Sequence, residues 1–389
     1  MAATQTSAEL APANLRELDT GLRKLWQFGA NVIVGWRRTQ YGLQVLYVPT
    51  YSLPQLARKH PRVVQLDREI IKEQDAAVLV QAGAKEASVR LLSAIDASHS
   101  PAVNNAVRVY SVTGFPCRAV ALFDIVSFSL YEPAEQVVLV NVLSHYIRLA
   151  GAHCRAMGMP VSLRMTTTGD GFYVWNSTYG LQGDVGLFCS ILLVLGYTYA
   201  ARGIADGEAI TVPRLRCGIH FGSHYEFYQG GSSSLESGGY VVGDVTINLA
   251  RILSKALAGH FLVGSYTRTL EDADVEAFPQ LAGIPSLDTL GFMGLAQEGV
   301  RKLIGGPFPG GKIESSSVFF TGPRMDDKAF RMRKYYVNDK HGLVHGCYNA
   351  RVTLKASNGS TINFGLRDEE LGKFDVKFDE AEDLIIQLG

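Results

Sequence analysis

Asp124, at the end of an apolar run, and Asp170, on a tight turn, together have the makings of a ligand pair for a hard divalent cation. The first closes Ala121-Leu122-Phe123-Asp124-Ile125-Val126-Ser127-Phe128-Ser129, a hydrophobic strand that ends on a carboxylate and then turns. The second lies in Val161-Ser162-Leu163-Arg164-Met165-Thr166-Thr167-Thr168-Gly169-Asp170-Gly171-Phe172-Tyr173-Val174-Trp175, which reads as strand, tight Gly-Asp-Gly turn, strand. Carboxylates at a strand end and on a neighbouring hairpin suit Mg²⁺ or Mn²⁺, which take oxygen ligands and complete their shells with phosphate oxygens. The chemistry is then nucleotide phosphoryl transfer. Singly, a Gly-Asp-Gly is an ordinary hairpin turn and an Asp after a strand an ordinary helix cap. Only the pair points to a metal.

Two later stretches add to them: Leu215-Arg216-Cys217-Gly218-Ile219-His220-Phe221-Gly222, and the helical pattern Gly243-Asp244-Val245-Thr246-Ile247-Asn248-Leu249-Ala250-Arg251-Ile252. In order and spacing the four resemble the class III nucleotidyl cyclases, the adenylyl and guanylyl cyclase family. Its motifs read Phe-x-Asp-Ile-x-Gly-Phe-Ser, Thr-x-Gly-Asp-Gly, Leu-Arg-x-Gly-Ile-His-x-Gly and Gly-x-x-Val-Asn-x-Ala-x-Arg. This chain departs twice. Ser127 stands where the family usually has Gly, a small-for-small exchange expected to keep the loop tight, and Asn248 precedes Arg251 by three residues rather than four. Positions three apart still share a helix face, so both could reach one phosphate, with Arg251 the better placed. The structural alternative for Arg251 is a solvated residue on an amphipathic helix, and for His220 a packed strand residue, which is the preferred reading.

The resemblance implies a site in which the 3′-hydroxyl of a nucleoside triphosphate attacks its own α-phosphorus and expels pyrophosphate. Two Mn²⁺ or Mg²⁺ ions per site would be held by Asp124, Asp170 and the Ile125 carbonyl. Asn248 and Arg251 would meet the charge growing on the phosphate, a guanidinium being suited to bidentate contact. Because the family takes the Asp pair and the Asn/Arg pair from different protomers, a head-to-tail homodimer with two composite sites is implied. Phe128, Thr166 and Tyr240 fall at the nucleotide. Thr166 and Tyr240 occupy the base-reading positions, where the family uses Lys with Asp for adenine or Glu with Cys for guanine. Neither pair is present here, so a shallower, less charged pocket is expected, which favours a pyrimidine. Arg155 and Arg164 are further candidates for a uracil edge.

The elements that must position these residues alternate. Expected in order are a strand over 118–124, helix 134–157, strands 161–168 and 172–176, helix 181–202, strand 214–221, helix 245–257 and strand 260–263. This is an α+β, ferredoxin-like order. Before it, 14–30 reads as an amphipathic helix with Asn14 a possible cap, 31–36 and 41–48 as a hairpin, and 53–98 as helical. The segment 229–239 reads as a flexible flap. The expected division is an N-terminal α/β or helical region over 1–105, with a disordered start, a cyclase-like domain over 106–304, a linker over 305–312 and a small β-rich C-terminal domain over 313–389. In that last part Lys334 to Asn349 and a hairpin of 352–356 with 362–366 stand out; His341 and His345 could ligate a metal, but without a third ligand the structural reading is preferred.

The Asp339-Lys340-His341-Gly342 and Tyr348-Asn349 pattern resembles the C-terminal sensor domain of bacterial defence nucleotidyltransferases and some cyclases. Joined to a cyclase with a non-purine pocket, it resembles the pyrimidine cyclases of the Pycsar anti-phage systems. What that implies is a uridylate cyclase making cyclic UMP for a separate effector. The alternatives are a cytidylate cyclase, a purine cyclase, and, in another class, an inactive nucleotide-binding regulator.

Composition narrows the classes. With 37 basic and 37 acidic residues the chain carries no electrostatic footprint for nucleic acid or anionic membrane. Its five cysteines contain no Cys-x-x-Cys pair, as expected of reduced thiols in a cytoplasmic protein. The apolar run 185–201 is short for a bilayer and carries Ser190, Thr198 and two tyrosines, so a buried core helix rather than a membrane span is expected.

Overall fold

Ala119, Ala121, Phe123 and Ile125 are all buried and share one face of a strand, as a period of two requires. The computed structural model describes residues 9–59, 69–70, 73–205, 212–228, 239–323 and 329–387. It divides into two compact units, Met1–Pro116 with Ser223–Val242, and Cys117–Gly222 with Gly243–Gly389.

The first unit contains α1 (Pro12–Trp26), β1 (Asn31–Thr39), β2 (Gly42–Pro49), α2 (Leu53–Lys59), α3 (Glu73–Gln81), β3 (Lys85–Arg90) and α4 (Ser100–Arg108). The strands form an antiparallel sheet in the order β1-β2-β3. A bulge between Ile33 and Gly35 turns Ile33 and Trp36 to one face, against Leu18 and Leu22 of α1 and Val103 and Val107 of α4. Val32 and Val34 face the other way, toward Leu56 of α2 and Leu79 of α3. Two expectations are corrected here. Asn14 is not the helix cap, which is Ala11; it is buried, accepting from the amides of Leu92 and Ser93 and donating to Ser93 Oγ. The stretch 53–98, expected to be helical, includes β3, an edge strand in which only Val89 is buried, so it lacks the apolar alternation that would announce it. The expected end of this region at 105 falls inside α4, and the unit also takes in 223–242.

Beyond it come β4 (Val112–Ile125), α5 (Pro133–Ala156), β5 (Leu163–Thr167), β6 (Gly171–Asn176), α6 (Leu181–Ala205), β7 (Leu215–Tyr228), β8 (Gly239–Val242), α7 (Asp244–Ser254) and β9 (Phe261–Gly264). β4 and β7 begin in one unit and end in the other. In the second unit β4, α5, β5, β6, α6 and β7 give the chain order βαββαβ, and the sheet order β5-β6-β4-β7 is that of a ferredoxin-like layer. The fold class is thus α+β, as expected. Leu139, Leu143 and Ile147 of α5, with Phe188, Leu192 and their neighbours on α6, cover one face. α6 contains the run 185–201 and is the buried core helix anticipated for it. By length and hydropathy alone both α5 and α6 could cross a membrane, but 83% of the most apolar window of α6 is buried inside this unit.

The sheet does not stop at β9. A ribbon of β10 (Thr267–Thr269) and β11 (Ser286–Asp288), with α8 (Asp272–Ala277) between them, leads to α9 (Thr289–Arg301). Then β12 (Pro307–Phe308), β13 (Gly311–Thr321), β14 (Ala329–Met332), β15 (Lys334–Asn338), β16 (Val344–Ala356) and β17 (Thr361–Phe364) follow. β7 and β9 run parallel, and β16 pairs antiparallel with β9, Tyr348 opposite Val263, so the C-terminal strands prolong the same sheet. The expected linker 305–312 contains the β12–β13 hairpin, whose turn between the paired Phe308 and Gly311 uses Gly310 at φ +87°. Val318, Phe320, Val352, Leu354, Ile362 and Phe364 enter the core that α6 occupies, so 313–389 is not set apart as a unit of its own. The hairpin expected there is present, with Val352 opposite Phe364 and Leu354 opposite Ile362. The start 1–8 and the flap residues 229–238 lie outside the described residues.

Candidate active site

The helix-covered face of the sheet uses Phe123, Phe172, Ile219 and Val352, and the period of two therefore sends Asp124, Tyr173, Arg216, His220 and His345 to the opposite face. Asp124 stands opposite Gly171 in the β4–β6 ladder, and the Ile125 amide donates to the Asp170 carbonyl at 2.9 Å. That register requires glycine. A Cβ on Gly171 would sit 1.9 Å from the Phe123 carbonyl oxygen, and Gly169 holds φ +100° to make the turn. The Gly-Asp-Gly turn thus sets Asp170 beside Asp124, the one grouping predicted from sequence that the structure brings together outright.

Arg216 lies in the third motif, where the sequence alone assigns it no role. Its Nε donates to Asp124 Oδ2 at 2.5 Å and its Nη1 to the Ala256 carbonyl at 2.9 Å, pinning the guanidinium against the acidic pair. Strand parity puts Arg216 and His220 on one face of β7, and the structure makes it the face of Asp124. Burial pushes the Asp124 carboxyl up; Arg216 opposes this, while the charge of Asp170 and a hydrogen bond shared with it push the same way as burial, and the balance stays above the ordinary carboxylate value. Two carboxylates crowded so that one resists ionisation want a further cation, and the oxygen donors suit a hard divalent ion. Among the described residues no cluster of three or more His, Cys, Asp or Glu side chains could hold a metal, so ions here would depend on this pair together with backbone and phosphate oxygens. Asp124 and Asp170 would hold them, and the residues fit.

Ser127 adopts φ +58°, ψ +31°, a left-handed conformation in which a Cβ is unfavourable. This is the physical meaning of its departure from Gly: the loop keeps its path at the cost of strain. Phe128, next to it, packs partly buried against the core, with its carbonyl accepting from Gln136, and nothing in its contacts marks a nucleotide. Thr166 is half-buried opposite Tyr173, whose hydroxyl donates to the Thr246 carbonyl of α7 at 3.1 Å. Tyr240 belongs to the first unit, on β8, where its ring stacks on Phe227 with centroids 5.0 Å apart. Arg155 donates to the Val161 carbonyl and so closes a loop of its own.

On α7, Val245 and Leu249 pack over Gly222 and Gly218 of β7, which leaves room for the helix to lie on the strand. Asn248 Nδ2 lies 3.4 Å from His220 Nε2, and Arg251 Nε lies 3.7 Å from Asp339 Oδ2 in the turn between β15 and β16. His220 is buried, and burial, with the charge of His345 adding, pushes it down to about 4, which keeps it neutral and agrees with a packed strand residue. The His345 ring approaches the same Asp339 Oδ2 at 3.6 Å, while His341 is tied to that carboxylate through its backbone amide.

No protein-family model matches this chain, and among curated proteins no match to it was found. Among solved structures, it is similar to the guanylyl cyclase Cya2 (13% identity, 61% of this chain and 92% of that one, TM-score 0.34). It is similar also to the adenylyl cyclase CyaB from P. aeruginosa (15% identity, 44% and 84%, TM-score 0.30). A third is the guanylate cyclase domain of RhGC from Catenaria anguillulae in complex with GTP (14% identity, 61% and 97%, TM-score 0.31).

Proposed function

We propose that this chain is a metal-dependent nucleotide cyclase that converts UTP to 3′,5′-cyclic UMP and pyrophosphate. The observation that carries the reading is the Asp124–Asp170 pair, held side by side at a strand end by a glycine-dependent register and flanked by Arg216. Asp124 and Asp170 would hold Mn²⁺ or Mg²⁺, which would supply a lowered pKa for a 3′-hydroxyl and charge neutralisation for a triphosphate. The protein's own part is to hold the two acids side by side, to place Arg216 beside the phosphates, and to present Asn248 and Arg251 to the charge that develops on the α-phosphoryl group. Asn248 and Arg251 serve the partner protomer's acids in a head-to-tail homodimer, as the motif resemblance implies. Thr166 and Tyr240, with no acid or lysine of a purine reader, favour uracil, with cytosine next. The motifs of 334–349 extend the reading to a Pycsar-type alarm enzyme whose product is read by a separate effector.

A second reading has its own support. Asn248 already faces His220, and Arg251 already faces Asp339, which suits a nucleotide-binding regulator that has given up turnover. Incubating the full-length protein with Mn²⁺ and each of UTP, CTP, ATP and GTP separates the two: pyrophosphate release with a cyclic product supports the cyclase, and binding without release supports the regulator.

A further inference from the structure

The turn between β15 and β16 reaches the helix that carries Arg251. Asp339 sits in that turn with its side chain only 3% exposed, and its two oxygens have different duties. Oδ1 accepts the backbone amides of His341 at 2.8 Å and Leu343 at 3.0 Å, which fixes the carboxylate by the turn's own geometry. Oδ2 faces Arg251 Nε at 3.7 Å and His345 Nε2 at 3.6 Å. These amide bonds and His345 outweigh the burial that would raise it, so the carboxyl ionises below its ordinary value. The acid approaches Arg251 through Nε, the inner edge of the guanidinium. The nearest approach is thus at the inner edge of the guanidinium, whereas its terminal Nη1 and Nη2 fork is the part suited to phosphate oxygens. A latch that withheld the arginine would be expected to close on the fork; a nearest contact at Nε orients the plane.

From this we infer that Asp339 is a positioning residue for Arg251, so that the C-terminal turn completes the catalytic machinery of the unit it belongs to. The inference rests on the cyclase reading of Arg251. The turn that faces Arg251 belongs to a segment whose sequence resembles a sensor.

The test uses full-length protein with Mn²⁺ and whichever nucleoside triphosphate the wild type turns over. Asp339→Asn keeps Oδ1 as an acceptor for the two amides and removes the charge that faces Arg251. Its kcat should fall about 10- to 100-fold with KM changed less than about 3-fold, and Asp339→Glu should recover part of the loss. In an Arg251→Lys background, which lacks Nε, Asp339→Asn should add little further loss, because the acid acts through that atom. Unchanged kcat in Asp339→Asn, or losses that multiply in the double variant, would overturn the positioning role while leaving the cyclase reading intact. A wild type inactive on all four triphosphates overturns both. If Asp339→Asn does not fold, as judged by thermal unfolding, Asp339→Glu alone decides: a kcat equal to wild type counts against the inference, and a reduced kcat at constant KM counts for it.

Discussion

Arg216 Nε lies 2.5 Å from Asp124 Oδ2 while Asp170 presses on the same carboxylate from the neighbouring turn. Asp124 is thus held between a fixed cation and a like charge, an arrangement that favours a movable divalent ion as the third member. Removing either acid should separate function from folding. Asp124→Asn or Asp170→Asn should lower turnover by about 100-fold or more, since each deletes an anionic ligand at constant size. Asp170→Asn should leave metal-free thermal stability no lower than wild type, because it relieves the repulsion that raises Asp124. A turnover near wild type in either variant would remove the metal assignment.

Ser127 offers a test of local strain. Replacing it with Gly frees the left-handed backbone of its Cβ penalty but adds entropy to the unfolded chain, so Ser127→Gly should gain roughly 0.5 kcal/mol. Equilibrium unfolding would show a small upward shift; a loss of stability would mean that the serine hydroxyl does more than its backbone costs.

Buried neutral histidines set the acid limit. Burial holds His220 at about 4 and His260 at about 3, both below the ordinary 6.5. Between those values and 6.5 the unfolded chain binds more protons than the folded one, so stability falls as pH drops below about 6.5 and the loss is complete near the folded values. At about 1.4 kcal/mol per unit, His220 alone accounts for about 3 kcal/mol of that loss. Denaturant midpoints at pH 7 and pH 5 should differ in wild type and differ less in His220→Asn; an equal difference in both would assign the acid sensitivity elsewhere.

Much of this was legible in advance. The ferredoxin-like order followed from alternating apolar runs and helical periods, because those elements bury whole faces: Phe123 and Val174 on strands, Leu143 and Phe188 on helices. The Asp124–Asp170 pairing was readable from the Gly-Asp-Gly turn and the motifs it resembles, and the structure adds that the missing Cβ of Gly171 lets β4 and β6 approach. What stayed hidden depended on contacts distant in sequence. β3 is a polar edge strand recognised only through its pairing with β2. The continuation of the sheet through β9 and β16 joins residues far apart in the chain, and the glycines near 310, which read as a linker, instead make a hairpin turn. Arg216 announced itself only as a member of a motif, because an ion pair across two strands leaves no local pattern.

The shared-site proposal has a direct complementation test. Mixing Asp124→Asn protomers with Arg251→Ala protomers should restore activity to a fraction of wild type, since one of the two sites in the heterodimer regains a full set of groups. Absence of rescue, with subunit exchange demonstrated, would place Arg251 in service of its own chain.

Base choice can be tested at Tyr240. If its ring limits the pocket, Tyr240→Ala should narrow the ratio of pyrimidine to purine turnover about 10-fold or more, a change of about 1–3 kcal/mol in discrimination. An unaltered ratio would leave Thr166 or Arg164 as the reader and assign Tyr240 to its stack on Phe227.

The most direct measurement is the product made from UTP and Mn²⁺ by the full-length protein, identified by mass spectrometry and matched to pyrophosphate released. The account predicts 3′,5′-cyclic UMP and pyrophosphate in equal amounts from the wild type, and neither from Asp124→Asn or Asp170→Asn. No cyclic product from any triphosphate, or equal product from the wild type and the aspartate variants, would contradict it.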